Sequence, residues 1–152
     1  DRVGDVLIDK GGEFTHGYTY SGHPATCAVA IENINIIQSE KLIENVTQNI
    51  GPYLRKKWHS LSDHPLVGET RIAGLMGALE LVADKTSLER FDKKIGVGTI
   101  CRDVCVNNGL VMRAVGDIMI IAPPLIITRE QIDELTEKAW KCLDLTQKAI
   151  DT

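Results

Sequence analysis

The sequence predicts an α/β fold with two layers, in which helices pack against a small sheet. The predicted elements follow one another as helix, helix, strand, helix, hairpin and helix, and a capping-box motif at residues 128–131 begins the last helix. The chain has 152 residues, 43% hydrophobic and 25% charged, which is enough to bury a core without a disulfide or a metal. The predicted buried stripe of the last helix is Ile132, Leu135, Ala139 and Leu143.

The first part of the chain predicts one short element and then a helix. Residues 1–9 alternate loosely between polar and apolar types, which predicts a short strand or the end of a helix, and Gly11-Gly12 breaks it. Pro24 is favoured at the first position of a helix, so we expect a helix to begin there. Because residues 25–37 (ATCAVAIENINII) are mostly small or aliphatic, this helix is expected to pack on more than one side.

A second helix is expected over residues 39–58, followed by a strand. Gly51-Pro52 predicts a kink or a break within this helix. After His64-Pro65, residues 66–82 (LVGETRIAGLMGALELV) predict one strand, bent at a glycine. The apolar residues that recur at the helical period are Leu42, Val46, Ile50 and Leu54.

The next stretch predicts a helix and then a hairpin. Asp92 is expected to cap a helix that runs through residue 106, and Asn107-Asn108-Gly109 ends it as left-handed C-caps usually do. Residues 110–114 and 118–122 predict two short strands, and Val115-Gly116-Asp117 joins them in a hairpin turn.

The charge balance excludes several classes of partner. Lys and Arg number 17 and Asp and Glu number 21, which gives a net charge of -4 and no basic patch for nucleic acid or an anionic membrane. No apolar run approaches the roughly 20 residues of a membrane span. We therefore expect neither nucleic acid nor membrane as a partner. The chain begins at Asp1 without an initiator Met, which indicates processing or a piece of something larger.

The cysteines and histidines indicate a cytoplasmic protein without a metal. The spacing of the four cysteines matches neither a zinc site nor a secreted disulfide scaffold. Cys101 and Cys105 lie four apart in a predicted helix, where they are expected to be small buried hydrophobic residues, with a redox pair or metal clip as the alternative. The histidines have no partners at ligand spacing, so no metal is expected.

The first candidate site is the hydroxyl-rich stretch over residues 16–24 (HGYTYSGHP). The hydroxyls of Thr19, Tyr20 and Ser21 stand just before a predicted helix N-terminus, whose free N–H groups and positive dipole end attract phosphate. The alternative is a glycine-rich loop that only caps the helix. The pattern matches neither common nucleotide-binding loop.

The second candidate is Arg113, which lies in an otherwise apolar predicted strand (VMRAV). A guanidinium among aliphatic residues needs an anionic partner, and its planar fork matches the carboxylate of a substrate. The alternative is an ion pair within the sheet, with Glu69, Glu80 or Asp117. Arg71 has the same ambiguity.

Three motifs resemble those of the class III, or omega, aminotransferases, which depend on pyridoxal phosphate. They are residues 16–24 (HGYTYSGHP), 68–82 (GETRIAGLMGALELV) and 107–128 (NNGLVMRAVGDIMIIAPPLIIT). The resemblance covers essentially the whole chain, and the form TYSGHP is similar to the branch that uses pyruvate with amines or omega-amino acids. It implies a C-terminal fragment of a fold-type I enzyme, with helices packed on a small, mainly antiparallel sheet.

The resemblance also implies roles for individual residues. Thr19 matches the threonine that contacts the cofactor phosphate of the neighbouring subunit, and Tyr18 lines that shared site. Arg113 matches the arginine that holds the substrate carboxylate. Residues 1–38 would be the end of the large cofactor domain, with a strand, the phosphate loop and a helix, and residues 39–152 the small C-terminal domain.

The intact protein would be a homodimer that moves an amino group from an amine or omega-amino acid to a keto acid such as pyruvate. The family's Schiff-base lysine is expected upstream of residue 1, so residues 1–152 hold no catalytic residue and are expected to be inactive alone. One alternative is a binding or assembly module that kept the fold without the lysine. Another is a racemase-like or mutase activity within the same family.

Overall fold

The computed structural model describes residues 2–12 and 17–151. The chain forms two compact units, Asp1–Ile37 and Gln38–Thr152. Among the described residues, no helix combines the length and the apolar character needed to cross a membrane.

The first unit contains α1 (Arg2–Lys10) and most of α2 (Pro24–Ser39). Of the two elements expected at the beginning of the chain, a short strand or the end of a helix, the strand is wrong, because residues 2–10 are helical throughout. Val3, Val6 and Leu7 follow the spacing of a helix face, and this spacing prevails over the loose alternation. α2 begins at Pro24 as predicted, but none of its residues is buried within the described chain, so the expected packing on several sides is not seen there.

The helix expected over residues 39–58 is continuous and has a π-helical turn in its middle. It comprises α3 (Leu42–Asn45), a π-helical segment (Val46–Ile50) and α4 (Gly51–Ser60). Of the kink or break predicted at Gly51-Pro52, the break is wrong, since the N–H of Gly51 donates to the carbonyl of Val46 and the helix continues through the π-helical turn. A Cβ at Gly51 would lie 2.4 Å from that carbonyl oxygen, so the wide turn requires glycine there.

The sheet has four antiparallel strands, β1 (Val67–Ala73), β2 (Met76–Leu81), β3 (Arg113–Val115) and β4 (Ile118–Ile121). Their order across the sheet is β1-β2-β4-β3. The single strand expected over residues 66–82 is therefore wrong, because the chain reverses at Gly74, whose φ of 59° is easy only for glycine. The hairpin predicted at residues 115–117 is confirmed.

Residues paired directly across an antiparallel sheet have their side chains on the same face. One face carries Leu79, Leu81, Met119 and Ile121, which are all buried. The opposite face carries the cross-strand row Arg71, Ala78, Ile120 and Arg113, which we call the open row. The core covers the face that carries Leu79 and Met119, so the side chains of the open row are available for other contacts.

Much of the rest of the core comes from α4, α5 (Val97–Asn107) and α6 (Arg129–Ile150). α6 begins with the predicted capping box of Thr128 and Gln131. Its buried positions are as predicted, except that Leu135 is only half-buried. Other core residues from these helices are Leu54, Trp58, Val97, Cys101, Cys105 and Cys142.

α5 begins four residues later than predicted, with Gly96 and not Asp92 before its first residue. Asp92 accepts a hydrogen bond from the N–H of Lys94 and so caps a turn, and the residue preceding α5 is Gly96 in the left-handed conformation. Ile95, expected on the buried face, lies before the helix and is 48% exposed. The end of α5 is as predicted, with Gly109 at φ 71° just beyond it.

His64 is buried against α6, with 2% of its surface exposed. Its Nδ1 accepts a hydrogen bond from the N–H of Leu66, so Nε2 carries the proton and faces Asp144 Oδ1 at 3.3 Å. The ring of Trp140 meets the imidazole edge to face. Burial lowers the pKa of His64 below its ordinary value, and the neighbouring Asp144 opposes this only in part.

The neutral state of His64 predicts an acid-sensitive fold. Below about pH 6.5, the unfolded chain binds this proton more readily than the folded chain does. The stability contributed by His64 is therefore present above that pH and is lost as the pH falls, at no more than about 1.4 kcal/mol per pH unit. Urea unfolding between pH 5 and pH 8 measures this slope, which should shrink in His64→Asn and persist in the exposed control His59→Asn. An equal slope in both variants would contradict the assignment.

Candidate functional site

Residues 17–24 form a tight turn that leads directly into α2. The N–H of Ser21 donates to the carbonyl of Tyr18 over 2.9 Å, and the hydroxyl of Ser21 accepts from the N–H of Tyr18 over 2.9 Å. Gly22 adopts φ 75°, a conformation that a side chain would strain. The turn thereby places Thr19 shortly before the helix N-terminus. His16, which belongs to the same predicted stretch, lies outside the described residues.

Thr19 occupies the exposed part of this turn. Within the described residues, its hydroxyl and its backbone N–H have no hydrogen-bond partner. Tyr18 and Tyr20 on either side are 80% and 78% exposed. A free hydroxyl and a free N–H beside a helix N-terminus suit a phosphate group, so the donor set fits the phosphate of pyridoxal phosphate.

Arg113 is the first residue of β3, the edge strand of the sheet, and it is exposed. The expectation that its guanidinium is embedded among aliphatic side chains is wrong, because Arg113 lies on the open row with only Ile120 directly opposite. Within the described chain it makes no ion pair and no side-chain hydrogen bond. Its planar fork is therefore available to a carboxylate.

The acids that could have paired with Arg113 are engaged elsewhere. Glu69 accepts from Arg71 over 3.2 Å, and Glu80 pairs with Arg71 over 3.4 Å and with Arg90 over 2.7 Å. The alternative of an ion pair between Arg113 and the sheet is thus wrong, whereas the same alternative is correct for Arg71. Thr19 and Tyr18 lie in the first compact unit and Arg113 lies in the second.

Asp117 lies in the turn after β3, and the sequence predicts it both as part of the hairpin turn and as a possible ion-pair partner of Arg113. Its Oδ1 instead accepts a hydrogen bond from the N–H of Gly98 over 3.0 Å, in the first turn of α5. A cavity of about 450 Å³ opens beside this contact, between the hairpin and α5. Its lining includes Phe91, Val115 and Ile118. No local pattern predicts this contact, since the two residues are 19 positions apart.

The family profile of the class-III aminotransferases matches residues 4–143. The chain belongs to this family. The putrescine–pyruvate aminotransferase of Pseudomonas aeruginosa is 57% identical over 150 residues, which are 99% of this chain and 32% of that protein. The mitochondrial gamma aminobutyrate transaminase 1 of Solanum lycopersicum is 38% identical over 153 residues, covering 99% of this chain and 30% of its own length.

Solved aminotransferase structures share the fold of this class-III chain. An omega-aminotransferase from Paracoccus denitrificans superposes with a TM-score of 0.84 at 36% identity, over 98% of this chain and 33% of its own. A PMP-bound aminotransferase from Vibrio fluvialis gives a TM-score of 0.81 at 35% identity, and the match covers 97% of this chain and 32% of the Vibrio chain. The predicted fold class is thereby confirmed. The chain spans about a third of the length of the relatives it matches.

The close contact between the hairpin turn and α5 predicts that glycine is required at position 98. A Cβ there would lie 1.9 Å from the carbonyl oxygen of Gly116, and backbone must shift to make room. Gly98→Ala should therefore lower the free energy of unfolding by about 2–3 kcal/mol. Gly4→Ala in α1 is the matched control, since a Cβ at Gly4 meets nothing within 4 Å and should be neutral or slightly stabilising. Urea unfolding of both variants checks the difference, and equal stabilities would refute the contact.

Proposed function

We propose that the protein to which this chain belongs is a pyridoxal-phosphate-dependent aminotransferase that moves an amino group from an amine or omega-amino acid to a keto acid such as pyruvate. The observation that carries the proposal is the exposed guanidinium of Arg113, which has no partner within the described chain. The putrescine–pyruvate specificity named for the relative at 57% identity favours a pyruvate-linked reaction. Pyridoxal phosphate, when bound, supplies the electron sink for the transfer.

In this proposal Arg113 binds and orients the keto acid. Its two parallel N–H donors face both oxygens of the substrate carboxylate, which fixes the direction of the adjacent keto group. Ile120 lies directly opposite on the neighbouring strand and offers an apolar surface beside the fork. Because Glu69 and Glu80 are already paired with Arg71 and Arg90, no internal acid of the sheet competes with the substrate.

Thr19 binds the cofactor phosphate with its hydroxyl and N–H groups, and the exposed ring of Tyr18 lines the same site. We propose that both residues serve the active site of the neighbouring subunit in a homodimer.

The domain boundary near residue 38, a cytoplasmic location and inactivity of residues 1–152 alone belong to the same proposal. The cysteine spacing, which matches no secreted disulfide scaffold, supports the location, and the inactivity rests on the family resemblance, which implies that the Schiff-base lysine lies upstream of residue 1.

Removing the guanidinium tests the carboxylate role. In the full-length enzyme, Arg113→Ala should raise KM for pyruvate about 10- to 100-fold, because a hydrogen-bonded charge contact is lost. Steady-state kinetics with a diamine donor, which carries no carboxylate, confine the effect to the keto acid. Arg71→Ala is the matched control on the same open row, since Arg71 is already paired within the sheet and should change KM less than about twofold. An unchanged KM in Arg113→Ala would remove the proposed role.

Removing the hydroxyl of Thr19 tests the phosphate role. Thr19→Val keeps the shape of the side chain and should weaken binding of pyridoxal phosphate about tenfold, whereas Thr19→Ser retains the donor and should bind normally. Titration of the apo-enzyme, followed by the absorbance of the bound cofactor, gives the dissociation constants. Equal constants for the two variants would show that the hydroxyl makes no contact with the phosphate.

A further inference from the structure

Asp117 ties together three elements at the end of the sheet. Its side-chain Oδ1 accepts from the N–H of Gly98 in α5, and its carbonyl accepts from the N–H of Leu81 at the end of β2 over 2.9 Å. Its backbone forms the hairpin loop with Gly116, whose φ is 57°. The turn also packs directly against α5, because a Cβ at Gly98 would lie 1.9 Å from the carbonyl oxygen of Gly116. We call this arrangement the turn clamp.

The clamp is electrostatically favourable for α5. The residue that precedes the helix, Gly96, has no side chain with which to cap the free N–H groups of the first turn. The half-buried carboxylate of Asp117 provides that cap from another element and lies at the positive end of the helix dipole. The interaction therefore couples the position of the hairpin to the position of the helix.

The position of Arg113 depends on the same hairpin. β3 is three residues long and forms the sheet edge, so within the described part of the chain it pairs with β4 alone. The strand continues directly into the clamped turn at Gly116-Asp117, and α5 packs against it. With so few backbone bonds, the turn clamp adds a restraint on where β3 presents the Arg113 guanidinium, beside the burial of Met112 just before it. Carboxylate recognition by a planar fork tolerates little displacement.

We infer that Asp117 is a positioning residue for the keto-acid site: by clamping the β3–β4 turn to the first turn of α5, it fixes Arg113 for the substrate carboxylate. This inference rests on the proposed function. It adds a residue that does not itself contact the substrate and that acts through the strand carrying Arg113.

The two halves of the reaction in the full-length holoenzyme test this. We expect Asp117→Ala to lower kcat/KM about tenfold for pyruvate reacting with the pyridoxamine-phosphate form. The reaction of the pyridoxal-phosphate form with a diamine should change less than about twofold, since a diamine has no carboxylate. Calorimetry should show an equal loss of affinity for propionate, a carboxylate that cannot react. Asp117→Asn keeps the acceptor oxygen and should restore most of the keto-acid rate.

Two controls separate a positioning role from a general loss of structure. Asp103→Ala removes an exposed carboxylate from the same helix, where it pairs only with Arg102 beside it, and should leave both half-reactions unchanged. If Asp117→Ala cannot be recovered folded, Asp117→Ser, with a shorter oxygen acceptor, carries the comparison and should show the same selectivity with a smaller loss.

Each outcome bears on the inference. Selective loss with pyruvate and propionate, rescued by Asp117→Asn, supports it. Suppose that Arg113→Ala is defective with pyruvate. If Asp117→Ala then loses activity equally in both half-reactions, or in neither, the inference about Asp117 is overturned and the proposed function stands. If Arg113→Ala itself reacts normally with pyruvate, the proposed function fails and this inference fails with it.

Discussion

The register of the β3–β4 hairpin is the constraint on which the site depends. Successive side chains of a strand point to opposite faces, so a slip by one residue would send Arg113 into the core and bring Ala114 to the open face. The two-residue loop at Gly116-Asp117 fixes this register, and positive φ at Gly116 makes so short a loop possible. The buried Met119 stabilises the same register from the covered face. The exposure of Arg113 is therefore a consequence of the turn.

The covered face depends on a second close contact, between β2 and α4. A Cβ at Gly77 would lie 2.9 Å from the indole of Trp58, so the missing side chain lets α4 approach β2. The indole Nε1 then donates to the carbonyl of Ala78 over 3.2 Å, which satisfies the only polar group of a completely buried ring. Gly77 and Gly98 thus have similar roles. Each lacks a Cβ at a point where a helix lies close to the sheet or its hairpin turn, which allows the close approach.

The elements that the sequence predicted well are those with local signals. Pro24 marks the beginning of α2, Thr128 and Gln131 form the capping box of α6, and the glycine at 116 marks the hairpin. Each of these signals acts within a few residues, so neighbouring positions suffice to interpret it. The order of α5, the β3–β4 hairpin and α6 follows from such signals, whereas the exposure of Arg113 at the sheet edge does not.

The elements that were missed have causes beyond local pattern. The apolar run around Gly74-Leu75 predicts one strand, and the reversal is apparent only from the pairing of β1 with β2. The π-helical turn before Gly51 depends on a hydrogen bond to Val46, which the Gly-Pro pair alone does not distinguish from a break. The contact of Asp117 with Gly98 joins residues far apart in sequence, so no local pattern encodes it.

The charges on the open face explain why one arginine remains available there. Arg71 and Arg90 flank Glu80, and Glu69 accepts from Arg71, so both carboxylates are neutralised by neighbouring arginines. Such exposed pairs contribute only about 0–1 kcal/mol each to stability. Their larger consequence is that three carboxylates already have partners. Glu69 and Glu80 pair with Arg71 and Arg90, and Asp117 accepts a hydrogen bond from the first turn of α5. Arg113, on an edge strand with apolar neighbours, is left as the cation that a small carboxylate can reach without displacing an existing partner.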